Sequence, residues 1–151
     1  MRISAKADYA VRAAVELASA GEDPIKGEKL ADSQGIPLQF LEHILLELKH
    51  ARLVRARRGA RGGYWLARPP EEITLANIFR AVEGPLANIQ DQAPEDTSYP
   101  GDAKELTEVW IAVRAALRRV LERVTVADLR DGRIPAEVRE LTGDEGAWET
   151  R

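Results

Sequence analysis

Apolar residues Ala7, Val11, Ala14 and Ala18 recur at helical spacing, which predicts a first helix that Ser4 caps and that ends near Ala20, ahead of Gly21. A turn follows at EDPIK, then a short helix over about 27–33 with Leu30 and Ala31 as its apolar contacts. Gly35 ends that helix, and Pro37 suits the first turn of the next, which runs to about Ala51. Along this third helix Phe40, Leu41, Ile44, Leu45 and Leu48 form an apolar stripe, leaving Gln39, Glu42, His43, Lys49 and His50 wholly or partly off it. Two short helices joined by the compact GIP turn form a helix-turn-helix pattern.

The pattern then changes period. Leu53 to Arg58 reads as a strand, GARGG as a glycine-rich turn, and Tyr64 to Ala67 as the returning strand. On the second strand Tyr64 and Leu66 are expected to face inward and Trp65 outward. An isolated hairpin is barely stable, so this one must lean on the helices before it. Helix-turn-helix followed at once by a hairpin is a winged helix. PPEEITL opens a further helix over about 75–82, which Gly84-Pro85 stops. Residues 85–102 read as a loop with acidic side chains and no basic one. The longest helix is expected over about 103–124, where Leu106, Trp110, Val113, Leu117, Val120 and Val124 alternate in steps of four and three. That spacing is a coiled-coil seam and calls for a partner helix. Thr125 caps a short segment that Gly132 stops, and a last helix lies near 135–141.

The fold class is therefore mainly α with a small β-hairpin. The pattern divides the chain into a winged helix-turn-helix unit (1–84), a loop (85–102), and a long helix expected to pair with a second copy, with a C-terminal tail (103–151). Its 151 residues suffice for one core, and 44% hydrophobic with 31% charged residues is an ordinary folded composition. There is no cysteine, which removes disulfides, thiol catalysis and thiolate metal sites. Two histidines, His43 and His50, cannot make a metal cage alone. No apolar run approaches the roughly 20 residues of a membrane span. The N-terminus lacks a secretory apolar core because Asp8, Arg12 and Glu16 interrupt it. The expected location is the cytoplasm.

Charge sharpens the picture. The chain carries a net charge of −3, yet from Lys49 to Arg68 every charged side chain is basic: Lys49, Arg52, Arg55, Arg57, Arg58, Arg61 and Arg68. Cations that meet the phosphate line of DNA release condensed counterions, and arginine suits both phosphates and a narrow minor groove. Glycines 59, 62 and 63 let the hairpin tip turn and bring its backbone close to another surface. Double-stranded DNA is the partner this implies. Arg55, Arg57, Arg58 and Arg61 are the wing candidates, and Gln39 and Glu42 the base-reading candidates, since Gln pairs with adenine and Glu accepts from cytosine. His43 stands between a DNA contact and an ordinary polar helix position. Trp65 stands between packing on sugar–phosphate and covering the hairpin.

The stretch IPLQFLEHILLELKHARLVRARRGARGGYWLARPPEEITLANIFRAVEGPL resembles the signature of the bacterial winged-helix regulators typified by IscR, NsrR and CymR. The opening MRISAKADYAVRAAVELA resembles their first helix, and the long Trp-containing helix their dimerisation helix. The resemblance implies a homodimer on a pseudo-palindromic operator, most often as a repressor, with Glu42 matching a base-reading glutamate and Arg58 the wing arginine. Well-known members hold an iron–sulfur cluster through three cysteines before the long helix, whereas NIQDQAPEDTSYPGDAKELTE has none. Asp8 matches an N-terminal acid that some of them use as a ligand, but one carboxylate without thiolates should not hold a cluster. The expectation is a member without cofactor or bound metal. Its effector is left open between a small molecule near Tyr99 and Trp110 and a partner protein docking on the acidic loop. No nucleophile elbow, phosphate loop or catalytic carboxylate pair argues for an enzyme. The competing class is a winged-helix module that acts mainly through a partner protein.

Overall fold

The computed structural model describes residues 2–150. Helix α1 (Ala5–Ala20) occupies the centre. Ser4 accepts from the Ala7 backbone N–H at 3.0 Å, and the Gly21 N–H returns to the Ala18 carbonyl. Its buried face is Ala7, Ala10, Ala13, Ala14, Leu17 and Ala18. Because five of these six are alanines, neighbours can approach closely, and α1 meets α2 (Gly27–Gln34), α3 (Leu38–His50), α4 (Leu75–Glu83), α6 (Val126–Asp131) and strand β2 (Gly63–Leu66). Helix α2 (Gly27–Gln34) ends at Gly35, whose φ of 62° is the left-handed turn that suits a residue without Cβ. Buried Ile36 and then Pro37 lead into α3 (Leu38–His50).

Helix α3 buries Leu41, Ile44, Leu45 and Leu48. Phe40, expected in the same stripe, is instead 37% exposed at its margin, edge-on to Tyr9 with ring centres 5.7 Å apart. The helix ends in a left-handed turn at Arg52, which lets the Leu53 N–H reach the Leu48 carbonyl at 2.9 Å.

Strands β1 (Val54–Arg57) and β2 (Gly63–Leu66) form an antiparallel hairpin in which Val54 faces Leu66, Arg55 faces Trp65 and Ala56 faces Tyr64. Each strand bound lies one residue from the expected one. The hairpin also has a third neighbour that the pattern did not disclose. Ile25, in the turn before α2, exchanges two backbone hydrogen bonds with Tyr64, of 2.9 and 2.8 Å. Gly63 makes room for this pairing, since a Cβ there would lie 2.6 Å from the Ile25 carbonyl oxygen.

Helix α4 (Leu75–Glu83) begins in a reciprocal cap between Thr74 and Asn77. Two 3-10 turns, Pro94–Asp96 and Gly101–Ala103, shape the loop before α5 (Leu106–Leu121). Helix α5 is shorter than expected at both ends. The chain then returns to the first unit: the Leu75 N–H donates to the Val124 carbonyl and the Val126 N–H to the Ile73 carbonyl, both at 2.9 Å. Helix α6 (Val126–Asp131), capped by Thr125 with Asp128, packs on α1 and puts Val126 in the main core. Helix α6 thereby shares the main core with the elements before residue 84. Helix α7 (Ala136–Leu141) follows, with no buried residue.

Candidate nucleic-acid interface

The apolar spacing of α3 fixes which side faces out. With Leu41, Ile44, Leu45 and Leu48 inside, Gln39, Glu42, His43, Leu46, Lys49 and His50 form the exposed face. Between this face and the hairpin lies an open groove of about 440 Å³, lined by Glu42, Leu46, Lys49, Arg58 and Tyr64 among others. Leu46 is missing from the sequence candidates. Its exposure in the groove is its signal: an apolar side chain on a groove-facing helix suits a thymine methyl. Lys26 was missed as well, and its ammonium donates to the Gly59 carbonyl, tying the start of α2 to the hairpin tip.

All seven sequence candidates, Gln39, Glu42, His43, Arg55, Arg57, Arg58 and Arg61, are exposed. The strand alternation separates them. Ala56 and Tyr64 stand on one side of the hairpin, and Arg55, Arg57 and Trp65 on the other, with Arg58 and Arg61 at the tip. Arg57 braces the hairpin: its guanidinium lies 5.9 Å from the Trp65 ring centre and donates to the Arg61 carbonyl at 2.9 Å. Trp65 is half-buried beneath it. His43 Nε2 lies 3.5 Å from Glu47, whose same carboxylate oxygen accepts from Lys6 at 2.9 Å. Tyr64 sits where burial, and then the charges of Glu42 and Glu28, push its hydroxyl above the usual tyrosine range, so it stays a neutral phenol.

The long helix presents two faces. One is fastened to its own loop: Thr107 donates to the Thr97 carbonyl, the Trp110 indole donates to the Tyr99 hydroxyl, and Arg114 pairs with Glu95. Of the expected seam, Leu106, Trp110, Leu117 and Val120 are half-buried and Val113 is 36% exposed. Val124 departs from the seam. It lies beyond the end of α5 and is only 4% exposed, covered by its own chain as the backbone pairs with Leu75. Val109, 50% exposed, lies outside the expected seam; with Val113 and Ala116, and with half-buried Val120 at its end, it makes an exposed apolar stripe. The stripe is turned about 50° from the expected seam, at about 100° per residue, because Trp110 and Leu117 lean onto their own loop and helices.

A helix-turn-helix pair, an outward polar helix face and an arginine-tipped hairpin braced against it define a winged-helix regulator of transcription. The chain belongs to the Rrf2 family, described as iron-dependent transcriptional regulators, whose model matches residues 3–132. A Mycobacterium tuberculosis chain named as an HTH-type transcriptional regulator, Rv1287, is 49% identical over 151 residues, covering 99% of this chain and 94% of that one. The HTH-type transcriptional regulator CymR of Bacillus subtilis is 35% identical over 130 residues, 85% of this chain and 89% of CymR. The structure of CymR, titled the global cysteine regulator of B. subtilis, superposes with a TM-score of 0.71 at 34% identity, covering 87% of this chain and 98% of that one. T. potens IscR gives 0.71 at 32% identity, with 87% and 88% covered. These relatives are regulators rather than enzymes.

The iron named in the family description does not fit the residues here. The chain has no cysteine, and the described residues bring together no group of three or more metal-binding side chains. Glu95, Thr97 and Tyr99, which face α5 from the loop, are engaged with Arg114, Thr107 and Trp110. Among the described residues no helix is long and apolar enough to cross a membrane.

Proposed function

We propose that this chain is a sequence-specific, cytoplasmic repressor that binds a pseudo-palindromic operator as a homodimer, without an iron–sulfur cluster. The observation that carries the reading is the pairing of one helix face, Gln39 through Lys49, with an arginine tip across an open groove. Gln39 and Glu42 read base edges in the major groove, with His43 and Leu46 beside them. Arg58 and Arg61 enter the flanking minor groove or meet its phosphates, and Arg55 and Arg57 support them from the outer side of the hairpin. Two such units, joined through Val113 and Val120 of the expected seam with the neighbouring Val109 and Ala116, while Leu106, Trp110 and Leu117 back that stripe from their own chain, set the recognition helices about 34 Å apart. The absence of any thiol supports a cluster-free regulator, switched by a small molecule or by a partner protein.

The test is operator selection from genomic fragments, followed by binding isotherms at several salt concentrations. Arg58→Ala with Arg61→Ala is expected to weaken binding on nearly every sequence and to lower the salt slope by about one per lost phosphate contact. Glu42→Ala is expected to change preference at one operator position by about 1–3 kcal/mol and to leave the slope in place. Wild-type binding by both variants would refute the proposed seating on DNA.

A further inference from the structure

The face of α5 turned toward its own chain bears a second feature. Between α4, the loop and α5 lies a cavity of about 340 Å³ whose walls include Arg80, Arg114 and Arg118, with Asn88 beside them and Pro85 and Leu86 as apolar floor. No acidic side chain lines it. The counter-charges sit outside: Glu95 holds Arg114 at 2.6 Å, and Glu122 pairs with Arg80 and, at 3.9 Å, with Arg118. Three cations thus face two carboxylates that approach from beyond the cavity wall. The loop backbone at this wall is unusual too, since Ala87, between Leu86 and Asn88, has a φ of 55°.

We propose that this cavity is a binding site for a small organic anion with at least two negative charges on a short apolar frame, such as a di- or tricarboxylate. Guanidinium groups pair with carboxylates through two parallel hydrogen bonds, and three of them converge here while the apolar floor has room for carbon. Glu95 occupies Arg114 as a stand-in for that ligand. Its carboxylate is more than half exposed, so release to water is easy when a stronger anion arrives. Release removes one of the three ties between the loop and α5, and leaves those at Thr107 and Trp110. At about 100° per residue, Arg114 and Arg118 stand about 130–170° around α5 from the stripe of Val109, Val113, Ala116 and Val120. A second copy seated on that stripe leaves the cavity open. The inference rests on the proposed regulator only for its consequence, an effector that moves the loop, whereas binding itself needs no DNA.

The experiment is calorimetric titration of the full chain, without DNA, with succinate, citrate and inorganic phosphate, ionic strength held constant with potassium chloride. Succinate or citrate is expected to saturate one site per chain. Arg80→Gln and Arg118→Gln, whose ion pairs are to Glu122 rather than to the loop, are each expected to weaken it about tenfold or more. Arg139→Gln, on the exposed face of α7, is expected to bind as wild type. In the NMR spectrum, the Arg114 Nε–H and Trp110 indole N–H resonances are expected to shift with saturation. Absence of saturation by all three probes, unchanged affinity in both cavity variants, or equal loss in Arg139→Gln would overturn the site. Phosphate binding as tightly as either carboxylate would overturn the organic-anion assignment. Either failure leaves the salt-slope test of DNA binding untouched, and failure of that test leaves this one intact.

Discussion

Gly62 shows how one missing methyl shapes the wing. A Cβ at that position would lie 2.0 Å from the Arg57 carbonyl oxygen and 2.7 Å from the Arg58 carbonyl carbon. Both are backbone atoms of the opposite arm, so no side chain can swing aside to relieve the overlap. Only a shift of the whole turn accommodates the methyl, and that turn carries Arg58 and Arg61. Gly62→Ala is therefore expected to destabilise the fold by about 1–3 kcal/mol, in the range of overpacked sites. Thermal unfolding checks the first part. The second is affinity for non-operator DNA, expected to fall although no charge has been removed. Wild-type melting and wild-type affinity together would mean that the hairpin tip is looser than this geometry.

At the scale of elements, the loop and α5 behave as a latch, and one of its three ties titrates. Glu95 has its carboxyl held below the usual carboxylate range, first by a hydrogen bond from its own backbone N–H and then by the Arg114 guanidinium. A carboxyl whose folded value is depressed stabilises the fold above its unfolded value and loses that contribution as pH falls toward the folded one. The latch should weaken on acidification through and below the ordinary carboxylate range. Glu95→Gln is expected to flatten that acid limb in urea-unfolding midpoints measured against pH, and an unchanged limb would show that the tie adds nothing. Most elements of the fold were legible in sequence, because Ser4, Gly35, Thr125 and Gly132 mark helix ends through local chemistry. What was illegible is long-range. Nothing local to Ile25 signals its pairing with Tyr64, and nothing local to Val124 says that the chain turns back to Ile73 and Leu75. The DNA-facing candidates were legible because apolar periodicity on α3 fixes the opposite face by subtraction. Leu46 escaped because an exposed leucine looks, in a sequence, like one more core residue.

For the whole molecule, the question is what covers α5. Val109, Val113 and Ile111 are exposed hydrophobics on a helix with no buried residue of its own, and Ala112 and Ala116 leave its surface shallow enough for close approach. The loop fastens the Thr107–Trp110–Arg114 side, so the free side is the one that carries Val109, Val113 and Val120. A second copy placing the same stripe there would bury valine against valine and alanine across a two-fold axis, which is a self-complementary contact. Val109→Glu with Val113→Glu would set four carboxylates in that apolar seam, where unpaired charge is costly. The double variant is expected to run as a folded monomer by light scattering, with the circular dichroism of the wild type, since neither residue touches the main core. Its affinity for a single half-site should survive, because α3 and the hairpin are untouched. Affinity for the full palindrome should fall by about 10²–10⁴, the gain that linking two half-site contacts supplies. A variant that remained dimeric would move the two-fold interface off this stripe, and a monomer that kept full operator affinity would show that one chain is enough.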